Sequence, residues 1–201
     1  MKRIYSTIIL LIALLLVNNT HAQTVVKDYL SVSGPISFDN INYDLSWSAH
    51  PSNNYFKHEY LPKGDDVEKY KQMILFEFAQ GDFKAEDAVN VKVSELKELK
   101  KKNPVVNYDV MENKQSGEYI LDFLVSENEP DGKHLSIVER NVYRFKQVED
   151  ASGRRGVLLF GVSTRAYGDD ITKFFASLKN NRYDMINSVA AYTIPVIKIV
   201  N

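Results

Sequence analysis

Two neighbouring runs of the chain, Leu135 to Val148 and Gly156 to Tyr167, restrict its fold more than any other feature. Both runs are rich in β-branched and aromatic residues, and a polar segment containing Ser152 and Gly153 joins them. This pattern predicts two antiparallel strands linked by a hairpin. Because the second run is apolar on both of its faces, we expect it to lie near the centre of a sheet, with a further layer on each side.

Charged and polar side chains interrupt the first of these two runs. Glu139 and Asn141 fall on one face of the predicted strand, because successive side chains in a strand alternate between its faces. Arg140 and Arg144 fall on the other face. A buried charge is costly unless it is paired and hydrogen-bonded. We therefore expect each of these side chains to have a partner in the folded protein.

The first 22 residues have the three parts of a secretory signal peptide. Lys2 and Arg3 provide the positive start, and Ile8 to Val17 is apolar. Thr20-His21-Ala22 is a small-x-Ala cleavage site that precedes Gln23. The apolar stretch is shorter than the roughly 20 residues that a helix needs to cross a bilayer. We therefore predict a signal peptide over residues 1–22 that is removed on export, which leaves a periplasmic or secreted protein without a membrane span.

The amino-acid composition excludes several kinds of protein. The chain has no cysteine, so neither a disulfide framework nor a lipid-bearing cysteine is available. Acidic residues (26) slightly outnumber basic ones (25), which argues against nucleic acid or an anionic membrane surface as the partner. Residues 23–201 are numerous enough to bury a core of their own. We expect them to form a single soluble domain.

Alternating residues predict two strands near the start of this domain. Ile41 to His50 alternates strictly between apolar and polar residues, which places Trp47 on the inward face. Pro51 to Asn54 supplies a turn, and Tyr55 to Leu61 returns as the second strand. This part of the chain should therefore form a hairpin with one solvent-exposed face.

Helical signals appear in the middle of the chain. Asp65 is followed three residues later by Glu68, a capping pattern that predicts a helix to about Gln72. Met73 to Ala79 then alternates with a period of two, and we favour a strand there over a continued helix. Lys84 to Lys102 has apolar residues at spacings of three and four, and it is the clearest predicted helix.

The remaining elements complete an α+β pattern. They are strands at Val105 to Met111 and Glu118 to Val125, a helix beginning at Asp169 or Asp170, and an apolar tail at Val196 to Val200. We expect Asn180 to Arg182 to interrupt the helix, and the tail either to dock as a last edge strand or to fray. The order of elements predicts an α+β fold with a largely antiparallel sheet whose faces are covered by helices, as in an α/β/α sandwich.

The stretch EYLPKGDDVEKYKQMI, from Glu59 to Ile74, resembles uncharacterised exported bacterial proteins. The predicted layout also resembles the PsbP-like α/β/α sandwich, which is a fold of binding and assembly subunits. That resemblance implies a non-enzymatic accessory role, by analogy of fold alone.

One polar cluster is the sharpest candidate for a site. If the hairpins close symmetrically, Asp122 lies opposite Glu139. Thr164 and Asn141 then lie close to Glu139. Repulsion between two opposed carboxylates raises the pKa of one of them, which would suit a hydrolase. A register shifted by one residue pairs Asp122 with Arg140 instead, and we favour this structural ion pair over a site.

Signals for other chemistry are weak. His50 and His58 flank the first turn, but zinc needs a third or fourth ligand, and the spacing places none. We interpret both as surface histidines. Ser163 lacks the G-x-S-x-G elbow, and Gly153-Arg154-Arg155-Gly156 lacks the P-loop pattern. We predict no catalytic residue, no metal and no cofactor.

These observations favour an exported binding or accessory protein of the bacterial envelope. It would contact a protein partner, or a small amphipathic ligand in a cleft between sheet and helix that its 12 tyrosines and 10 phenylalanines help to line. The alternatives are a hydrolase that uses Asp122 and Glu139, and a structural assembly subunit. An exposed apolar patch around Ile197 to Val200 would indicate the assembly subunit.

Overall fold

Residues 26–200 are described by a computed structural model, and they form eight strands and two helices. The strands are β1 Ile36–Phe38, β2 Ile41–Ser52, β3 Tyr55–Pro62, β4 Gln72–Gln80, β5 Asn107–Asn113, β6 Glu118–Asn128, β7 Leu135–Glu149 and β8 Arg155–Tyr167, and the helices are α1 Ala85–Lys100 and α2 Asp170–Ala191. All strands pair antiparallel, in the order β1-β2-β3-β4-β8-β7-β6-β5. The predicted signal peptide lies outside the described residues.

The central strand is β8, which lies between β4 and β7 and is buried on both faces over most of its length. This confirms the position that its sequence predicts. Phe160 and Val162 belong to the core on one face of the sheet, and Leu159 and Val157 belong to the core on the other. These two surfaces are called the Phe160 face and the Leu159 face below.

Each helix covers only part of one face. α2 packs on the Phe160 face through Ile186 and Val189, mainly against β7 and β8. α1 packs on the Leu159 face through Ala85, Val89 and Leu96, mainly against β5, β6 and β7. The α+β class and the antiparallel sheet are confirmed. The predicted sandwich with helices over both faces is not supported, because strands hold 45% of the described residues against 22% in helices, and the helices pack mainly on β5 to β8.

The two ends of the described chain also pack on the Phe160 face. Leu30 and Ile197 are buried there in the same core cluster. The Lys198 N–H donates to the Leu30 carbonyl at 2.9 Å, and the Val200 N–H donates to the Tyr29 carbonyl at 2.9 Å. The C-terminal tail therefore docks against the N-terminal segment, neither as the predicted last edge strand of the sheet nor as a frayed end.

The helix predicted from Asp65 to Gln72 is wrong. The segment between β3 and β4 makes turns, in which the Asp65 N–H donates to the Pro62 carbonyl at 3.0 Å. The Asp66 carboxylate accepts the Glu68 N–H at 2.7 Å, a local bond that competes with helix formation. The segment is also too short to overcome the cost of helix nucleation without an apolar face to bury.

The predicted core position of Trp47 is also wrong, since its side chain is 40% exposed. The pairing of β2 with β3 shifts between Leu45 and Trp47. Such a bulge inserts one unpaired residue and reverses the faces of the residues that follow it. Tyr43 therefore lies buried on the Phe160 face, whereas Trp47 lies opposite Glu59 on the Leu159 face.

The other predicted elements are confirmed with small changes at their ends. Met73 to Ala79 lies within β4, so the strand preferred over a continued helix is correct. α1 lies within the predicted helix Lys84 to Lys102. Asn181 has non-helical backbone angles and divides α2 near its middle, as expected for an interruption at Asn180 to Arg182.

Candidate functional site

A cleft of about 530 Å³ lies on the Leu159 face, between α1 and the sheet. Its floor is apolar and includes Leu75, Val157 and Leu159. Phe83 and Ala88 form part of the wall on the helix side. The cleft therefore combines a rigid sheet floor with one helical wall.

The cleft exists because α1 lies to one side of the central strands. Its buried residues pack over β5 to β7, where Leu121 and Phe123 share their core cluster. The small side chains of Ala88 on α1 and Ala79 on β4 leave the neighbouring space unfilled. Sequence periodicity identifies the buried face of α1 but not where on the sheet that face rests.

Gly161 of β8 shapes the floor of the cleft. Its Cα carries no side chain, and a Cβ there would lie 2.8 Å from the ring of Tyr143. The Tyr143 ring can therefore lie across β8 and line the cleft. A larger residue at position 161 would displace the ring.

Polar groups of the cleft are organised around Glu77. Its carboxylate accepts a hydrogen bond from the Tyr55 hydroxyl and pairs with Lys57, with an Nζ to Oε1 distance of 3.0 Å. Burial, followed by the charge of Glu77, raises the pKa of Tyr55 well above its ordinary value. On the helix side, Lys92 pairs with Glu95 at 2.9 Å. These residues were not predicted from the sequence, in which the available signal was a charged residue within an otherwise apolar strand.

The predicted pairing of Asp122 with Glu139 is wrong. In the sheet, Asp122 lies opposite Val142 and Glu139 lies opposite Val125. The hairpin turns around Asp131 and Gly132, past Pro130, and a register shift follows where β7 begins. Both effects move β7 relative to the symmetric pairing.

The predicted cluster is divided between the two faces of the sheet. On the Phe160 face, Asp122 bonds to Arg140 at 2.8 Å, which is the ion pair favoured from sequence. Thr164 lies opposite Arg140 in the register. On the Leu159 face, Asn141 donates to Glu139 at 2.9 Å. Because Asp122 and Glu139 lie on opposite faces, the two carboxylates cannot act together on one substrate.

Each mid-strand charge has a partner, as expected. Glu139 binds Arg165 and accepts the Tyr70 hydroxyl at 2.8 Å. Arg144 pairs with Glu118 and also donates to backbone carbonyls at the end of α2, including that of Ala190 at 2.9 Å. These contacts hold the helix and the loop before β4 against the sheet.

α2 completes the ion-pair network of Asp122. Arg182 donates to Asp122 at 2.7 Å and to Asp109 at 3.1 Å. Arg140 also donates to the Arg182 backbone carbonyl at 2.6 Å, directly after the interruption at Asn181. The network therefore joins three strands to the middle of α2, and sequence spacing gives no sign of this long-range contact.

His58 is fully buried, so its interpretation as a surface histidine is wrong. Its Nε2 accepts the Tyr29 N–H at 3.0 Å, so the proton lies on Nδ1, which donates to the Tyr60 hydroxyl at 2.9 Å. Burial lowers the pKa of His58 to about 4, against the opposing charge of Asp28. His50 is half-buried and stacks on Phe56 at a centroid distance of 4.2 Å.

Within residues 26–200, no group of three or more His, Cys, Asp or Glu side chains is arranged to hold a metal ion. Over the same residues, no helix has both the length and the hydrophobicity to cross a membrane.

A protein-family model matches residues 30–194 of the chain. No curated protein and no solved structure matches the chain. The resemblance to the PsbP-like sandwich is not confirmed by these comparisons.

Proposed function

The chain belongs to the uncharacterised bacterial family whose model matches residues 30–194, and we propose that it is an exported, non-enzymatic protein that binds a small amphipathic molecule. The proposed binding site is the cleft between α1 and the sheet. The observation that carries this proposal is the cleft itself, with its volume of about 530 Å³ and its apolar floor. Ligand pockets typically have volumes of about 300–1,000 Å³, apolar walls and a few polar groups.

The arrangement of polar side chains supports binding over catalysis. Ser163 is buried, and its hydroxyl donates a hydrogen bond to the Asn141 side-chain oxygen. Asp122 is bonded to both Arg140 and Arg182. These groups stabilise the sheet and the helix on it, and they lie apart from the lining of the cleft.

A bulky residue in the wall should abolish binding to the cleft. We expect Ala88→Trp to weaken the binding of the fluorescent probe N-phenyl-1-naphthylamine by at least about tenfold, because a ring there fills the space beside Leu159. The measurement is a fluorescence titration. Ala176→Trp, at an exposed position of α2, is the matched control and should bind as the wild type does.

Unchanged probe affinity in a folded Ala88→Trp variant would rule out this cleft as the binding site. If that variant does not fold, Val91→Trp provides the same test, because Val91 lines the cleft and is largely exposed. Circular dichroism of each variant establishes folding before the titration.

Export is the second part of the proposal, and residues 1–22 of the sequence support it. We expect protein purified from the periplasm or the medium to begin at Gln23, as measured by intact mass. A protein of full-length mass found only in the cytoplasm would contradict export. This outcome would leave the binding proposal standing.

A further inference from the structure

We infer that the ligand of the cleft carries a cationic, amine-type head group on an apolar chain. This inference rests on the proposed binding function and specifies its ligand. Four aromatic rings line the cleft, those of Tyr55, Phe83, Tyr143 and Phe145. The faces of aromatic rings carry negative potential and attract ammonium groups. The apolar floor would receive the chain of the same molecule.

The charged side chains of the cleft favour a cation. Three acidic residues line it, Glu77, Asp87 and Glu95, against two lysines. Both lysines are already paired: Lys57 lies 3.0 Å from Glu77, and Lys92 lies 2.9 Å from Glu95. The charge that remains in the lining is therefore the negative charge of Asp87.

A further carboxylate lies next to the cleft on the same face. Glu59 follows Lys57 by two residues on β3 and is paired in register with Leu75, which is part of the floor. Burial, its largest influence, raises the pKa of Glu59 above its ordinary value. A neighbouring ammonium group would stabilise the charged form of this carboxyl.

The hydroxyls of two tyrosines in the lining are buried near the same carboxylates. Burial and then the charge of Glu77 raise the pKa of Tyr143, with Glu139 and Glu59 contributing in the same direction. The pKa of Tyr55 is raised by burial and by Glu77 as well. After burial, the Glu77 charge contributes to both shifts, because negative charge near a phenol opposes its ionisation, and the same carboxylate would repel an anionic head group.

An anionic head group would have to compete with carboxylates for the two lysines. If it took Lys57 from Glu77, the Glu77 carboxylate would lose its cation in a half-buried position. An ammonium head group requires no such exchange, because it can lie near the carboxylates and the aromatic rings while both lysine pairs stay intact. The difference between the two head groups is therefore electrostatic.

Displacement of N-phenyl-1-naphthylamine by three decyl amphiphiles tests the inference. Decyltrimethylammonium, decanoate and decyl maltoside share one chain and differ in head group. We expect the ammonium compound to displace the probe at a concentration at least about tenfold lower than decanoate does. Raising the salt concentration should reduce this ratio, because ions screen charges near the surface.

Two carboxylate variants connect the selectivity to the cleft. Glu95→Gln should reduce the preference for the ammonium compound over decanoate, and Glu77→Gln should reduce it further. Glu98→Gln is the matched control on the same helix, because Glu98 is exposed and pairs with Lys101 outside the cleft. Because the Glu95 side chain is exposed, we expect Glu95→Gln to fold as the wild type does.

The outcomes separate the inference from the proposed function. If decanoate displaces the probe as well as the ammonium compound does, the cationic head group is wrong while binding in the cleft stands. If the probe does not bind, or binds equally to Ala88→Trp, the binding function fails and the inference fails with it. A preference that Glu77→Gln and Glu95→Gln leave unchanged also overturns the inference.

Discussion

Replacing Asp122 by Asn is expected to lower the free energy of unfolding by about 3–5 kcal/mol. Asp122 is 5% exposed and Arg140 is 4% exposed, and their ion pair has an Nε to Oδ1 distance of 2.8 Å. An amide of the same shape leaves the Arg140 guanidinium as a buried charge without its counter-ion. The substitution also weakens the contact of Asp122 with Arg182, which holds the middle of α2 against the sheet.

Asp109→Asn is the matched control for this substitution. The Asp109 side chain is 53% exposed and shares Arg182 with Asp122. Exposed ion pairs contribute about 0–1 kcal/mol, so the control should change stability by less than about 1 kcal/mol. Chemical denaturation followed by circular dichroism measures both variants. Equal, small losses would show that Asp122 is not required for stability and would reopen the question of its role.

Acidification from about pH 6.5 to about pH 4 is expected to lower stability by about 3 kcal/mol through His58 alone. Burial lowers the pKa of His58 in the folded protein from 6.5 to about 4. Between these values the unfolded chain binds a proton that the folded protein does not, so stability increases with pH across this window and is lost as pH falls. Protonation also removes the acceptor of the Tyr29 N–H.

The pH dependence of unfolding in His58→Gln tests this prediction. The variant should lose most of the slope between pH 6.5 and pH 4, whatever its absolute stability. His134→Gln is the control, because His134 is exposed in the β6–β7 turn. A slope that persists in His58→Gln would assign the acid sensitivity to other groups. The protection factor of the Tyr29 amide, which is the intrinsic exchange rate at each pH divided by the observed rate, should fall as pH decreases over the same range.

The contacts of Asp150 are also sensitive to acid, but at a lower pH than His58, so the two effects on stability can be separated. Burial opposes ionisation of Asp150, but hydrogen bonds from Arg154 and from the Ile199 and Ser152 N–H groups hold its pKa at about 2. Its contribution is therefore present above about pH 4 and is lost only as pH falls towards 2. The Ile199 N–H to Asp150 bond, 3.2 Å long, helps to dock the C-terminal tail.

Short-range patterns predicted most of the elements. β7 and β8 were predicted from their residue types and from the turn between them, and α1 from its apolar spacing. The helix from Asp65 failed because a capping pattern is also satisfied by turns, as the Asp66 contact with Glu68 shows. A local capping pattern therefore does not by itself establish that a helix forms.

Register was predicted less well, because it depends on contacts between distant residues. In a strand, a shift of one residue moves every side chain to the other face. The bulge after Leu45 moved Trp47 out of the core, and the turn beyond Pro130 separated Asp122 from Glu139. Arg182 reaches Asp122 from 60 residues away, which no spacing rule would reveal.

The sequence by itself determined the α+β class, the antiparallel hairpins and the central place of β8, because alternation and turn residues act over a few neighbouring positions. Only the tertiary structure decided the faces of the polar residues, the burial of His58 and the cleft beside α1. These features depend on how distant elements pack, since the offset of α1 leaves a cleft between the helix and the sheet at Leu75 and Leu159. The candidate site is therefore a product of packing and not of a motif.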